Sequence, residues 1–315
     1  MNQNENESII QPVMVDSAAE NPQAESIHDD DILPSGDTSQ RRRHFRWYDV
    51  LVILLFFFLS QGIGAFIAVS IGVTPPDASL LTDSDFEIVE NAESQQARFV
   101  AVTFAFAIAI CFTLLTIYRI LRKWKTHISF RSPSWGAPFR LLCGYLLLWC
   151  VSITLEPLTS TLPSDQSALG AGGWLLLSAV VLAPLLEEVV FRGYIASGIQ
   201  YAYGPIAAWI TSSIIFGIAH GTAGPAVNAT FCGFVLGFFY MRYRSLTLVI
   251  MLHAMNNLTA CFLATLNLDQ TPMSEILGGG KLYWSIYAVC AIVTLLSFVR
   301  MYNILKHLKS NKTAY

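Results

Sequence analysis

Residues 185–194 read LLEEVVFRGY, and they place two adjacent carboxylates and one arginine inside an otherwise apolar run. That run begins at Trp174 and has the length of a membrane-spanning helix. An ionisable side chain in hydrocarbon costs roughly 2.5–3.5 kcal/mol on insertion scales, so these three groups need partners or a water-filled cavity. On a helix Arg192 shares the face of Glu188, whereas Glu187 points about 100° away. We therefore expect Arg192 to hold Glu188, which leaves Glu187 free to face a cavity and handle a proton.

The composition is that of a polytopic membrane protein and not of a soluble globule. The chain has 315 residues, of which 54% are hydrophobic and 13% are charged, and its mean hydropathy is +0.50. The basic residues cluster at the ends of apolar runs, so we expect the lipid bilayer as a partner and no nucleic acid. The six cysteines lie within apolar runs without a CxxC spacing, which suggests neither a disulfide framework nor a thiolate metal site.

About eight segments are apolar enough to cross a membrane, which needs about 20 apolar residues. The fold class predicted is therefore an all-α membrane helix bundle. The fifth and sixth segments are short, and the eight are Tyr48–Val73, Phe99–Tyr118, Leu141–Leu158, Trp174–Tyr194, Ile206–His220, Ala226–Met241, Leu246–Leu266 and Leu282–Tyr302.

The basic residues orient these spans. Sixteen of them fall on one side if the chain starts inside, and only Arg98 and Lys281 fall on the other, with Arg192 set aside as part of the motif. The positive-inside rule then puts both termini in the cytosol and the acidic loop 74–97 outside. We expect a multi-pass integral membrane protein of the cell or inner membrane, or of the endoplasmic reticulum in a eukaryote.

Three parts follow along the chain. Residues 1–45 are expected to be a disordered acidic cytosolic tail, because residues 1–40 hold nine acidic residues and no lysine or arginine. Residues 46–305 form the transmembrane helical domain, with the motifs concentrated in residues 174–266. Residues 306–315 form a basic cytosolic tail.

Further polar groups interrupt the apolar spans. Phe216 lies one turn before His220, so its ring can pack beside the imidazole, and His253 shares a helix face with Asn257. Each has a simpler interpretation when taken alone. His220 suits a helix end wetted by interfacial water, and the His253 pair suits a hydrogen-bonded clamp between helices. Pro184 frees a backbone carbonyl one turn before the carboxylates and is either a tolerated membrane proline or an opening towards a cavity.

Taken together, these groups suit the activation of water inside a membrane cavity. Glu187 would act as the general base, and His220 could hold the same water. His253 and Asn257 could donate hydrogen bonds to one point, as an oxyanion hole does for a tetrahedral intermediate. Hydrolysis of an amide would follow, with Glu187 later passing its proton to the leaving amine.

Three motifs carry a resemblance to a known family. Glu187-Glu188-x-x-x-Arg192, Phe216-x-x-x-His220 and His253-x-x-x-Asn257, in this order on successive spans, resemble those of the CPBP family. This family comprises the type II CAAX prenyl endopeptidases and the bacteriocin-processing enzymes, also called Abi proteins. The resemblance implies a hydrolase, an intramembrane protease acting on a membrane-anchored or prenylated protein or peptide.

The resemblance also implies a role for each matching residue. Glu187 would be the catalytic carboxylate, with His220 beside it on the nucleophilic water. His253 and Asn257 would form the oxyanion site, with Glu188 and Arg192 as supporting residues. Members have been described both as metalloproteases and as glutamate-dependent proteases. We expect no cofactor, although Glu187, His220 and His253 would also make a His₂Glu zinc set.

Two other functions use the same buried groups. A proton- or cation-coupled transporter could use them as a relay, although no internal repeat is evident and the ionisable residues crowd into the fourth, fifth and seventh spans. A non-catalytic scaffold or immunity protein could keep the fold without turnover.

Counting residues along each helix puts His220 deeper than His253, so their helices must be offset or broken for the two to meet.

Overall fold

The computed structural model describes residues 45–82, 85–124, 130, 136–163, 170–266, 268 and 271–308. The predicted tail at residues 1–45 therefore lies outside the described residues except at Phe45, as does the last part of the basic tail, residues 309–315. The main helices, in chain order, are α1 (Trp47–Ser70), α2 (Phe86–Leu121), α3 (Ala137–Thr159), α4 (Gly173–Tyr203), α5 (Pro205–Ile218), α6 (Ala223–Tyr243), α7 (Leu246–Thr265) and α8 (Gly280–His307). A short 3₁₀ helix at Ala78–Thr82 and one helical turn at Met273–Ile276 lie in the connections.

The predicted all-α membrane bundle is confirmed. In the part of the chain that the structure describes, seven helices are long and apolar enough to cross a membrane. The eighth predicted span corresponds to α5, which is apolar but has only 14 residues. At 1.5 Å per residue α5 is about 21 Å long, less than the hydrocarbon core of roughly 30 Å. The cytosolic placement of the termini stays a prediction.

Helix α2 begins earlier than the sequence predicted. The prediction of a loop over residues 74–97 is wrong in its second half, because the helix starts at Phe86 and has 36 residues. The Asp85 carboxylate caps it by accepting a hydrogen bond from the Glu87 amide. The extra turns also pack against the segment before α4, where the Ala171 amide donates to the carbonyl of Glu93. Capping and packing outweigh the charge of this segment.

Helix α4 contains two π-helical segments. An α-helical centre at Ala183–Glu188 lies between π-helical turns at Leu176–Leu182 and Val189–Ala196. Short π-helical insertions within α-helices occur frequently at functional sites. Both glutamates lie at the end of the α-helical centre, and Arg192 follows in the second π-helical segment.

The core of the bundle surrounds α4 and α6. About half of the apolar window of α4 and 61% of that of α6 are buried, against only 11% for α8. Helix α1 packs along α2, and α5 packs along α6. Helix α7 contacts the first π-helical segment of α4. The carboxylates and Arg192 are therefore carried by a central helix, shielded from lipid by its neighbours.

Candidate active site

Glu188 and Arg192 form a buried ion pair. Arg192 Nη1 donates to Glu188 Oε1 at 2.9 Å, and both side chains are essentially inaccessible. Arg192 Nη2 also donates to the carbonyl of Gly233 on α6 at 3.3 Å. The predicted pairing of the two residues is present. The ion pair leaves neither side chain available to a substrate, and the hydrogen bond to Gly233 connects α4 to α6.

His253 extends this pair by one step. Its Nδ1 lies 2.8 Å from Glu188 Oε1, the oxygen that also accepts from Arg192, and the ring is 5% exposed. Because an ionised carboxylate only accepts hydrogen bonds, Nδ1 must carry the proton. The other ring nitrogen, Nε2, then lies on the side of the ring away from Glu188 and can accept a hydrogen bond.

The Glu187 carboxylate approaches His253 Nε2. Its Oε2 is 3.9 Å from His253 Nε2, which is too long for a direct hydrogen bond and within reach of one shared water. Oε2 is buried and has no hydrogen-bond partner among the described residues, although the side chain as a whole is 15% exposed. A buried oxygen without a partner loses the free energy of a hydrogen bond, so a water bound here would restore it.

Phe216 lies between the two histidines. Its ring is edge-on to His220 at a centroid distance of 4.7 Å and to His253 at 5.7 Å. The Arg192 guanidinium lies 4.1 Å from the centroid of the same ring, a cation–π geometry. The sequence predicted Phe216 beside His220, but it did not predict that one ring would join α4, α5 and α7.

His220 is the most exposed of the predicted catalytic residues. It lies two residues beyond the end of α5, and its Nδ1 lies 2.8 Å from the carbonyl of Phe216, so Nδ1–H donates and Nε2 is left with a lone pair. Within the described ranges, no hydrogen bond or ion pair joins His220 to Glu187. It meets the rest of the site through the Phe216 ring.

Asn257 has a defined partner on α4. Its Nδ2 donates to the carbonyl of Ala179 at 2.8 Å. In the first π-helical segment the Ala183 amide bonds to Ser178 five residues back, so the amide that would bond to Ala179 is that of residue 184. Residue 184 is proline and has no N–H. Asn257 therefore supplies the donor that Pro184 lacks, and its second amide hydrogen can still point towards the site.

Close contact between α5 and α6 fixes the segment that carries Phe216 and His220. A Cβ atom at Gly217 would collide with the hydroxyl of Thr230 and would lie 2.5 Å from the carbonyl of Ala226. Only glycine allows the two helices to approach this closely. No sequence pattern indicated this contact or the roles of the Ala179 and Gly233 carbonyls, because backbone acceptors are independent of residue type.

A metal site was the alternative use of Glu187, His220 and His253. In the described part of the chain, no three histidine, cysteine or carboxylate side chains are grouped so that they could hold a metal ion. Glu187 and His253 offer two facing donors, whereas His220 turns its Nδ1 to a backbone carbonyl. The donor set thus falls short of the three protein ligands usual for a catalytic zinc.

Two comparisons with known proteins give a match, and one of them is placed on this region. The family model described as "Type II CAAX prenyl endopeptidase Rce1-like" matches residues 170–259, which include all three motifs. A curated protein of Bacillus subtilis (strain 168), named "Putative membrane peptidase YdiL", is 28% identical over 111 residues, or 33% of this chain. The match covers 46% of that relative, so the chain spans about half the length of the curated protein it resembles. No solved structure gives a significant match.

Proposed function

We propose that this chain, whose residues 170–259 match the model of the type II CAAX prenyl endopeptidase family, is an intramembrane endopeptidase. Its substrate would be a membrane-anchored or prenylated protein or peptide, cleaved at one peptide bond. The observation that carries the proposal is the approach of Glu187 Oε2 to His253 Nε2 at 3.9 Å, with Glu188 and Arg192 behind the imidazole.

Glu187 is the general base of the proposed reaction. Its buried, unpartnered Oε2 accepts a hydrogen bond from a water and takes the proton as the water oxygen attacks the peptide carbonyl carbon. The tetrahedral intermediate collapses with cleavage of the C–N bond, and Glu187 returns the proton to the leaving amine. One water is consumed, and the products are a carboxylate and an amine.

His253 has two roles in this scheme, set by its protonation. With its proton on Nδ1 and donated to Glu188, Nε2 accepts a hydrogen bond from the attacking water. In the other state Nε2 takes a proton from solvent before the attack, the imidazolium donates to the oxyanion while Glu188 stabilises its charge, and Nε2 returns that proton to solvent after the intermediate collapses. The oxyanion role predicted from the sequence thus requires the charged imidazole.

His220 and Asn257 complete the proposed site. The exposed His220 presents a lone pair on Nε2 and suits the entry of water or the contact with a substrate group. Asn257 keeps one amide hydrogen for the oxyanion while the other binds Ala179. Each role can be tested apart from the buried ion pair, because neither side chain belongs to it.

The test is cleavage of a membrane peptide by the purified full chain in proteoliposomes. We expect Glu187→Gln to abolish cleavage without changing thermal unfolding, since Oε2 has no partner to lose. The exposed Glu275→Gln serves as a matched control and should cleave like the wild type. A second variant, His253→Asn, keeps a donor for Glu188 but no Nε2, and should also be inactive.

The same vesicles distinguish the rival functions. Undiminished cleavage by Glu187→Gln would remove the proposed base. A proton or cation flux that Glu187→Gln abolishes, in vesicles where the wild type cleaves nothing, would identify a transporter. If Glu187→Gln replaced the wild type in cells without any loss of phenotype, the result would point to a scaffold or immunity protein.

A further inference from the structure

A cavity that is largely open to the surroundings lies apart from the proposed active site, between the C-terminal ends of α6 and α8. Its volume is about 650 Å³. Arg242 comes from the last turn of α6, and α8 provides the rest of the polar lining, namely Arg300, Asn303 and His307. The apolar wall includes Leu296, one turn before Arg300 on the same helix, and Val299, which directly precedes Arg300.

The lining changes from apolar to basic along α8. Leu296 and Val299 are 63% and 52% exposed, as expected for side chains that face lipid tails. Arg300, Asn303 and His307 follow at helical spacing on the same stripe, towards the end of the span. Among the residues that the structure describes, none of those lining the cavity is acidic. The gradient therefore matches a molecule with an apolar tail and an anionic head.

The basic side chains are not occupied elsewhere. Among the described residues, neither Arg242 nor Arg300 forms a hydrogen bond or an ion pair, and both are exposed. Arg242 makes only a cation–π contact with the neighbouring Tyr243 ring, at 5.5 Å. Guanidinium groups bind phosphate oxygens in a bidentate geometry, so two of them at one cavity suit a phosphodiester.

We propose that this cavity binds the headgroup of an anionic phospholipid from the adjacent leaflet. The phosphate lies between Arg242 and Arg300, with Asn303 and His307 on the rest of the headgroup and an acyl chain along Leu296 and Val299. A basic pocket between membrane helices at the headgroup level is a recurrent binding site for acidic lipids. The exposed apolar wall favours a lipid over a free phosphate, because a soluble ion would leave that wall unused.

The experiment measures lipid retention by the full chain. The purified protein is delipidated in a neutral detergent and incubated with equal amounts of phosphatidylglycerol and phosphatidylcholine of identical chains, and native mass spectrometry counts the lipid retained. We expect the wild type to retain phosphatidylglycerol over phosphatidylcholine by about tenfold or more. Arg242→Gln/Arg300→Gln should lower the affinity for phosphatidylglycerol roughly thirtyfold, given the usual effect of a basic residue at an anionic surface.

The matched control removes two charges outside the cavity. Lys281→Gln/Lys306→Gln should retain phosphatidylglycerol within about twofold of the wild type on the same scale. The single variant Arg300→Gln, expected to lose about fivefold, provides the same test should the double variant not fold. Retention of phosphatidylglycerol by the arginine variants at the wild-type level would overturn the proposal, as would equal retention of the two lipids.

A soluble competitor distinguishes the source of the phosphate. We expect millimolar glycerol 3-phosphate to leave the bound lipid in place. Displacement of the lipid at equal concentrations of the two would identify a free-phosphate site and overturn the lipid assignment. None of these readouts depends on peptidase activity, so the lipid site and the proposed function stand or fall separately.

Discussion

Asn257 donates a hydrogen bond from Nδ2 to the carbonyl of Ala179 at 2.8 Å, the carbonyl that Pro184 leaves without a backbone donor. The contact joins α7 to α4 just before the two glutamates. Asn257, predicted as an oxyanion donor, therefore also supplies a hydrogen bond to the backbone of the helix that positions the proposed base.

Substituting Asn257 and Pro184 together separates these two roles. Asn257→Ala leaves the Ala179 carbonyl unpaired, which should cost about 1–3 kcal/mol of stability, and removes an oxyanion donor, which should lower kcat by roughly 10²–10³. Pro184→Ala returns an N–H to residue 184, so the double variant should regain stability but not activity. Thermal unfolding and cleavage rates measure the two effects.

The control for this cycle is Asn256→Ala, which removes a neighbouring amide from another face of α7. It should match the wild type in both measurements. A double variant no more stable than Asn257→Ala would show that Pro184 does not account for the free carbonyl. Recovery of activity together with stability would remove the oxyanion role of Asn257.

Arg192 is expected to be essential for stability. Arg192→Ala leaves Glu188 charged and without its ion-pair partner at a fully buried position, and such a loss typically costs about 3–5 kcal/mol. We expect a lower melting temperature and a lower yield of folded protein. Glu188→Gln in the same chain removes the uncompensated charge and should restore part of the loss. Arg98→Ala, at an exposed position of α2, is the control, and an Arg192→Ala melting temperature equal to that of the control would contradict the supporting role.

The contact at Gly217 predicts a steric effect. Gly217→Ala places a methyl group against Thr230 and the Ala226 carbonyl, so it should separate α5 from α6 and cost about 1–3 kcal/mol. Activity should fall too, because Phe216 and His220 flank this position. Gly62→Ala has no atom within 4 Å of the added carbon and should be neutral or slightly stabilising. Equal melting temperatures for the two variants would contradict the close approach.

Metal removal tests the two-donor geometry around Glu187 and His253. We expect cleavage by protein treated with a strong chelator and transferred to metal-free buffer to match that of untreated protein. Among the described residues only Glu187 and His253 face each other as donors, whereas a catalytic zinc usually has three protein ligands. Loss of activity after chelation, followed by recovery on addition of zinc alone, would show that His220 joins the other two on a metal. Magnesium serves as the control ion.

The parts of the site that follow from helix periodicity could be predicted from the sequence. The pair Glu188–Arg192 is set by a spacing of four residues, and the contact of Phe216 with His220 has the same spacing. Local geometry fixes both, whatever the neighbouring helices do. The bundle itself followed from hydropathy, because an apolar segment of about 20 residues satisfies its backbone hydrogen bonds within the membrane as a helix.

Contacts between helices could not be predicted in this way. The hydrogen bond of His253 to Glu188 joins residues 65 apart, and no spacing rule places them side by side. The partner of Asn257 depends on π-helical winding at Leu176–Leu182, which has no signature in residue type. The start of α2 was missed for another reason: the acidic segment lacks the hydropathy of a span, yet Asp85 caps it as part of the same helix.

The shortness of α5 has a consequence for the surrounding membrane. A rod of about 21 Å cannot reach both surfaces of a hydrocarbon layer of roughly 30 Å, so either the bilayer is thinner around α5 or neighbouring helices cover one of its ends. His220 lies just beyond the C-terminal end and is exposed. A thinner bilayer there would bring polar headgroups and solvent to the level of the proposed active site, and the proposed peptidase would then need no water channel through its interior.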